Sequence, residues 1–188
     1  MKNAIIIHGI LDDVEEIDLI KTPLSTTHWF PWLKQKLVGL NIETHTPDFP
    51  DPFDPIYEKW KEIFEQLDIT PDTILVGHSC GGGFLVRWLS ENKIIVGKVA
   101  LVAPWSDPNK LLSTGFFNFV IDPGLVSRTA GLIVMYSLDD QEEIIKTVDE
   151  LKAVLPQATF KEFSDKGHFT EEDMGTKEFP ELLEVLGL

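Results

Sequence analysis

Cysteine is almost absent from this chain of 188 residues, in which Cys80 is the single one. One cysteine excludes an intramolecular disulfide and a zinc site built from several thiolates. Long apolar runs are missing too, since no uncharged stretch approaches the roughly 20 residues that cross a bilayer. The apolar run at residues 4–7 is too short for a secretory signal and soon meets Asp12 and Asp13. We therefore expect a cytoplasmic protein.

Basic residues are scarce as well. The 16 lysines and arginines face 31 aspartates and glutamates, which gives a formal net charge of −15. Such a surface repels phosphate backbones and anionic lipids, so we expect neither a nucleic-acid partner nor a membrane partner. The glycine patterns that hold nucleotide phosphates are missing, and we expect no cofactor and no metal.

What the sequence does contain is an alternation of short apolar strands and amphipathic helices. The strand-like runs are residues 4–7, 41–46, 74–76, 98–103, 132–137 and 159–163. Helical stripes include residues 29–40, 56–67, 84–89, 142–155 and 180–188. This order predicts a single α/β domain over residues 1–188, a three-layer α/β/α sandwich around a mainly parallel sheet of about six strands.

Three further segments carry local expectations. Asp54 and Pro55 predict the N-cap and the first residue of the second helix. Residues 105–130 are the least regular part of the chain, and long connections in compact domains are usually functional. The acidic residues 12–21 predict a loop or a short surface helix.

The chain is organised around Ser79, which stands in the sequence Gly-His-Ser-Cys-Gly at residues 77–81. Glycines two positions before and two positions after a serine leave room for a strained turn that lifts its hydroxyl clear of a sheet. The pattern alone is a weak signal, but here an apolar strand precedes it and an amphipathic helix follows it. We interpret Ser79 as a nucleophile; the alternative is an inert serine in a glycine-rich turn.

A serine hydroxyl needs a base, and the chain has five histidines. His168 follows the last strand on a loop with a glycine, so we expect it at the same sheet edge as the serine. The others have plainer roles: His78 lies inside the turn, His8 ends the first strand, and His28 and His45 have polar surroundings that suit exposure. His168 is therefore the candidate base.

The imidazole in turn needs a carboxylate that fixes its tautomer. Asp139 and Asp140 directly follow a strand and point in different directions, so only one can serve. We favour Asp140 and expect Asp139 to be a solvated neighbour. The chain order Ser, Asp, His is that of α/β hydrolases.

Two backbone amides are candidates for an oxyanion hole. One is the N–H of Cys80, directly after the serine, and the other is the N–H of Ile10, in the loop after the first strand. Cys80 is then needed for its amide rather than its thiol. Trp105, Phe116 and Phe117 are candidate substrate-binding residues, although aromatic side chains in a loop more often pack on the core.

Six segments together resemble the small serine hydrolases of the retinoblastoma-binding protein 9 and YdeN family. They are residues 4–9, 27–33, 46–50, 77–81, 137–140 and 167–169, and they span nearly the whole chain in order. The resemblance implies a lidless α/β-hydrolase fold with a Ser, Asp, His triad. The family pattern Ser-x-Asp-Asp implies that the catalytic aspartate is Asp140.

Two departures from that family limit what is carried over. Residues 12–21 form a longer acidic segment than the family's usual loop, and such a segment can cover part of the site. The Leu-x-Cys-x-Glu sequence that gives the human member its name is absent, so binding of the retinoblastoma protein is not implied.

Together these observations predict a serine hydrolase that cleaves a small carboxylic ester or amide through an acyl-enzyme intermediate. One alternative is a catalytically idle binding module, because a fold does not entail its chemistry. Another is a thioesterase or acyltransferase that uses the same serine, although no basic patch is present to bind a phosphate-bearing carrier.

Overall fold

A six-stranded sheet forms the centre of the molecule in the computed structural model, which describes residues 2–11 and 22–188. The strands are β1 (Asn3–Ile7), β2 (Glu43–His45), β3 (Ile74–His78), β4 (Val99–Val102), β5 (Leu132–Ser137) and β6 (Thr159–Phe163). Their order is β2-β1-β3-β4-β5-β6, and every pairing is parallel. The predicted parallel α/β sheet is confirmed.

Burial explains which strands occupy the centre. Strands β1, β3, β4 and β5 are buried along their whole length, in agreement with their near-continuous aliphatic sequences. Strands β2 and β6, at the two edges, are partly exposed. The carboxyl ends of the central strands therefore meet along one edge, which is where ligands bind in parallel sheets.

Helices flank both faces of this sheet. They are α1 (Phe30–Gly39), α2 (Tyr57–Phe64), α3 (Cys80–Asn92), α4 (Glu142–Val154), α5 (Glu171–Met174) and α6 (Pro180–Leu186). Helix α3 is buried almost all round, because it follows the central strand β3 and α2 covers it, with Phe64 packed edge-on against Trp88. The short helix α5 has no apolar stripe, and the sequence did not predict it.

The start of α2 differs from the prediction. Its N-cap is Ile56, with no side-chain hydrogen bond to the helix end. The Asp54 carboxylate instead accepts hydrogen bonds from the backbone N–H and the hydroxyl of Ser113. A long-range partner has thus displaced the local capping role of Asp54.

Two other segments bear on the site. Residues 105–130 are irregular apart from the short 3₁₀ turn Val126–Arg128, as predicted. The acidic segment at residues 12–21 lies outside the described residues. Across the ranges that the structure describes, no helix is both long enough and apolar enough to cross a membrane.

Candidate active site

Ser79 occupies a sharp turn between β3 and α3. Its backbone has φ 52° and ψ −124°, a conformation that residues with a side chain rarely adopt. The surrounding hydrogen bonds impose it, because Ser79 donates its N–H to Val102 O and its carbonyl accepts from the N–H groups of Gly82 and Trp105. Such strain persists where neighbours over-determine the backbone, and it is common at active sites.

Close backbone contacts explain why glycines flank Ser79. A Cβ atom on Gly81 would lie 2.4 Å from the carbonyl oxygen of His8, and one on Gly77 would lie 2.5 Å from the carbonyl oxygen of Gly81. Strands β1 and β3 and the first turn of α3 are therefore in backbone contact here. A side chain at either position would force these three elements apart.

His168 and Asp140 form a hydrogen-bonded pair beside Ser79. The two carboxylate oxygens of Asp140 lie 3.0 and 3.1 Å from Nδ1 of His168. The Asp140 side chain is 1% exposed, whereas the His168 side chain is 23% exposed. Because a carboxylate only accepts, Nδ1 carries the proton that it shares with Asp140.

Ser79 and His168 line the same two hollows, but no hydrogen bond joins their side chains in the structure. The serine is 9% exposed and opens to solvent through these hollows. The structure thus brings Ser79, Asp140 and His168 to one place, as expected from their positions after β3, β5 and β6.

Asp139 points in a different direction from Asp140. Its Oδ1 accepts hydrogen bonds from the Ser137 hydroxyl and, at 3.1 Å, from the Gly167 N–H. The same serine oxygen accepts from the N–H of Lys166 at 3.1 Å. These bonds, led by the one from Ser137, hold the pKa of Asp139 below its ordinary value. Asp139 is therefore more than a solvated neighbour, because it ties the loop before His168 to the end of β5.

Asp173 fixes the other side of the same loop. Its Oδ2 accepts from the His168 N–H at 2.8 Å and from the Thr170 hydroxyl at 2.9 Å. Gly167 has φ 48°, and a Cβ there would lie 2.6 Å from Cγ of Asp173. Only glycine combines this backbone conformation with so close an approach. The backbone of His168 is thus held from both sides.

The predicted oxyanion donors are the backbone amides of Ile10 and Cys80. Cys80 is the first residue of α3, whose initial N–H groups have no partner within the helix. Neither amide donates a hydrogen bond to any group within residues 2–11 and 22–188. The Cys80 thiol is fully buried, and burial raises the pKa of that thiol well above its usual value. The thiol is therefore not poised as a nucleophile.

Two buried histidines support this edge of the sheet as neutral rings. His8 donates from Nδ1 to the carbonyl of Gly9, and its Nε2 accepts from the Phe49 N–H at 2.9 Å. His78 donates from Nε2 to the carbonyl of His168 at 2.8 Å. Burial lowers the pKa of both rings, and that of His78 falls well below the usual value. Both rings are therefore neutral and hold neighbouring backbone groups through hydrogen bonds.

His28 belongs to the site, although the sequence indicated an exposed residue. It lines the larger hollow together with Ser79 and His168, and its side chain is only 26% exposed. Its backbone has φ 50°, and its Nδ1 accepts from the Glu171 N–H. Burial lowers the pKa of this ring too. Polar sequence neighbours gave no signal of this, because the partner at Glu171 is distant in the chain.

The aromatic residues of the irregular segment divide between the site and the core. Trp105 lines the smaller hollow beside Ser79. Phe116 is fully buried and packs edge-on against Trp60, and neither Phe116 nor Phe117 lines either of the two hollows at Ser79. The half-buried Phe117 packs edge-on against Phe116 and Trp105.

Metal coordination has no candidate set of ligands in the part of the chain that the structure describes. Within it, no three or more His, Cys, Asp or Glu side chains are arranged to hold an ion. The acidic residues near His168 are already engaged, Asp140 by the ring and Asp173 by backbone and hydroxyl donors.

Comparison with known proteins identifies the family to which this chain belongs. The model of the family described as serine hydrolase matches residues 23–187. YdeN of Bacillus subtilis (strain 168) is 28% identical over 169 residues, which cover 86% of this chain and 88% of YdeN.

Solved structures agree with this family match. The crystal structure of the B. subtilis ydeN gene product has a TM-score of 0.82 at 27% identity, covering 100% of this chain and 97% of that one. Est1E from Butyrivibrio proteoclasticus shares the fold with a TM-score of 0.59 at 13% identity, over 100% of this chain and 89% of its own. The chain therefore belongs to the serine hydrolase family and has the α/β-hydrolase fold.

Proposed function

We propose that this hydrolase cleaves small carboxylic esters or amides, with Ser79 as the nucleophile, His168 as the general base and Asp140 as the residue that orients it. The observation that carries the proposal is the buried Asp140 carboxylate on Nδ1 of His168, beside a serine in a strained turn. With Nδ1 protonated, Nε2 is left with the lone pair that a base needs.

The reaction has two steps that share these groups. In the first, His168 takes the Ser79 proton, Oγ bonds to the substrate carbonyl carbon, and the bond to the leaving group breaks as His168 protonates that group. In the second, His168 takes a proton from water, whose oxygen attacks the acyl-enzyme. The acid leaves, and the proton returns to Ser79. The absent Ser79–His168 hydrogen bond is no obstacle, since such bonds often tighten only when substrate binds.

The proposed donors to the oxyanion are the backbone amides of Ile10 and Cys80, which donate to no group among the described residues. The Cys80 N–H lies at the start of α3, where the positive end of the helix dipole adds to it. A donor of this kind is commonly worth a factor of about 10² to 10³ in rate. The tight backbone contact at Gly81 keeps the start of α3 against the end of β1, and so holds the two donors in one place.

Charge around the site favours neutral substrates. Asp139, Glu172 and Asp173 line the larger hollow, and the whole chain carries a formal net charge of −15. An anionic ester approaches this edge against electrostatic repulsion. A panel of matched neutral and anionic p-nitrophenyl esters tests this, and faster turnover of the anionic members would contradict it.

A fluorophosphonate probe tests the nucleophile directly. We expect it to label the wild-type protein, and to leave Ser79→Ala and His168→Ala unlabelled because each lacks an activated serine. Ser127→Ala is the matched control and keeps its label, because Ser127 lines neither hollow at Ser79 and its hydroxyl donates to the carbonyl of Gly124. Labelling of Ser79→Ala, or a folded wild-type protein that takes no label, would overturn the proposal, and the second result would favour a binding module.

A further inference from the structure

Two hollows meet at Ser79 and His168. Carboxylates and histidine rings line much of the larger one. The smaller one, of about 420 Å³, contains four large apolar side chains, those of Ile10, Trp105, Leu111 and Ile144. Gln141 and Glu143 also line it, and Oε1 of Glu143 accepts a hydrogen bond from the Asn109 amide at 2.7 Å.

Leu111 is the unusual member of the smaller hollow, because its side chain is 70% exposed. The backbone under it is nevertheless firmly held. The Asp107 carboxylate, on a residue that is 9% exposed, accepts from the N–H groups of Leu111 at 2.7 Å and Leu112 at 2.9 Å. A buried carboxylate thus fixes the backbone of a leucine whose side chain is exposed to solvent and lines the same hollow as Ser79.

The next residues fix the segment from the other side. Ser113 donates twice to Asp54, and the Thr114 hydroxyl donates to the carbonyl of Pro55 at 2.6 Å. Leu111 is therefore positioned between two anchors. A lone exposed leucine is ordinary on a protein surface, but this one forms a wall of a hollow that contains Ser79.

We infer that Leu111 determines substrate specificity by covering an aliphatic acyl chain that lies in the smaller hollow; this inference rests on the proposed function. The assignment of acyl and leaving groups follows from their chemistry. The leaving group departs as a polar alcohol or amine, which suits the larger hollow with its carboxylates and histidine rings. The acyl group stays on Ser79 until water attacks, so it gains most from the apolar side chains grouped in the smaller hollow. The preferred substrates are neutral esters or amides with an acyl chain of several carbons.

The test is a series of p-nitrophenyl esters from acetate to hexanoate, each rate divided by that of hydroxide-catalysed hydrolysis of the same ester. For the wild type, kcat/KM should rise by about fourfold for each methylene that the hollow covers, the value of a fully buried CH₂ group. Leu111→Ser should flatten this dependence, so that the ratio of hexanoate to acetate falls. Leu111→Met keeps an apolar wall and should retain the ratio.

Val120→Ser is the matched control, because Val120 is 87% exposed and lines neither hollow at Ser79. Its ratio should equal that of the wild type. A wild type with no dependence on acyl length, an unchanged ratio in Leu111→Ser, or a ratio in Leu111→Met as low as in Leu111→Ser would each overturn the inference. The inference would also be overturned if the loss of kcat/KM in Leu111→Ser depended on the length of the alcohol in a series of acetate esters and not on the length of the acyl chain.

Failure of the proposed function has a different signature. In that case the wild type neither hydrolyses any ester of the series nor takes the fluorophosphonate label, and the inference about Leu111 falls with it. Labelling and acetate turnover without any dependence on acyl length would overturn the inference alone.

Discussion

The carboxylate of Asp140 lies 3.0 Å from Nδ1 of His168, and it is almost completely removed from solvent. The neighbouring carboxylate of Asp139 makes no hydrogen bond with that ring and instead accepts from the Ser137 hydroxyl and the Gly167 N–H. Two adjacent aspartates therefore have separate tasks. One holds the side chain of His168, and the other holds the loop that carries it.

The first prediction separates these two aspartates. Asp140→Asn should lower kcat by about 10⁴, the cost of the equivalent change in a serine protease, because the amide favours the wrong tautomer of the base. Asp139→Asn keeps a carbonyl oxygen that accepts the same hydrogen bonds, so we expect a loss of only about fivefold. Steady-state hydrolysis of a p-nitrophenyl ester measures both. If Asp139→Asn is the more damaging change, the assignment of Asp140 is incorrect.

The second prediction concerns the loop anchor at Asp173. Asp173→Ala removes the acceptor of the His168 N–H, and we expect kcat and the rate of fluorophosphonate labelling to fall together by about tenfold, with a smaller change in KM. Asp173→Asn retains an acceptor oxygen and should recover most of both rates. Glu178→Ala, an exposed change in the same region, is the control. A loss in KM alone would show that Asp173 acts on substrate binding rather than on His168.

Much of this arrangement follows from the sequence because local rules decide it. The aliphatic runs of β1, β3, β4 and β5 specify buried parallel strands, and Gly77 and Gly81 specify the turn at Ser79. Ser79, Asp140 and His168 each follow a strand. The geometry of a parallel sheet therefore predicts that they lie at one edge, even where the tertiary contacts are not known.

What the sequence did not predict depends on partners far apart in the chain. Aspartate is a residue type that often caps helices, but the Asp54 carboxylate accepts hydrogen bonds from the hydroxyl and the N–H of Ser113 instead. His28 stands among polar neighbours, yet the backbone of Glu171 holds it in the site. Local patterns cannot reveal such contacts, because they form only after the sheet brings the segments together.

The third prediction tests the backbone contact under the nucleophile. Gly81→Ala places a methyl group 2.4 Å from the carbonyl oxygen of His8, which is fixed at the end of β1, so we expect a loss of roughly 3 kcal/mol or more in the free energy of unfolding. Gly39→Ala is the control, since nothing lies within 4 Å of a Cβ there and it is a helical residue. It should stabilise the protein by roughly 0.5 to 1 kcal/mol. Urea denaturation measures both, and equal effects would contradict the packing argument.

The fourth prediction concerns pH and the two buried neutral rings. Folding keeps His8 and His78 unprotonated, since burial lowers the pKa of each, whereas an unfolded histidine takes up a proton near pH 6.5. Below that pH the unfolded chain binds more protons than the folded chain, so the free energy of unfolding falls as the pH falls. Between pH 6.5 and 5.5 each ring that stays neutral in the folded state contributes a loss of about 1 kcal/mol.

His78→Gln separates this effect from other titrations, because a glutamine amide reaches the carbonyl of His168 but binds no proton. Between pH 6.5 and 5.5 the wild type should therefore lose about 1 kcal/mol more than the variant, whatever the stability of the variant at pH 7.5. The lowered pKa values of His8 and His28 act in the same direction in both proteins and therefore cancel from this difference. Urea denaturation at the two pH values measures the losses. Equal losses in the two proteins would mean that His78 takes up a proton in the folded state. They would contradict the assignment of His78 as a neutral donor to the carbonyl of His168.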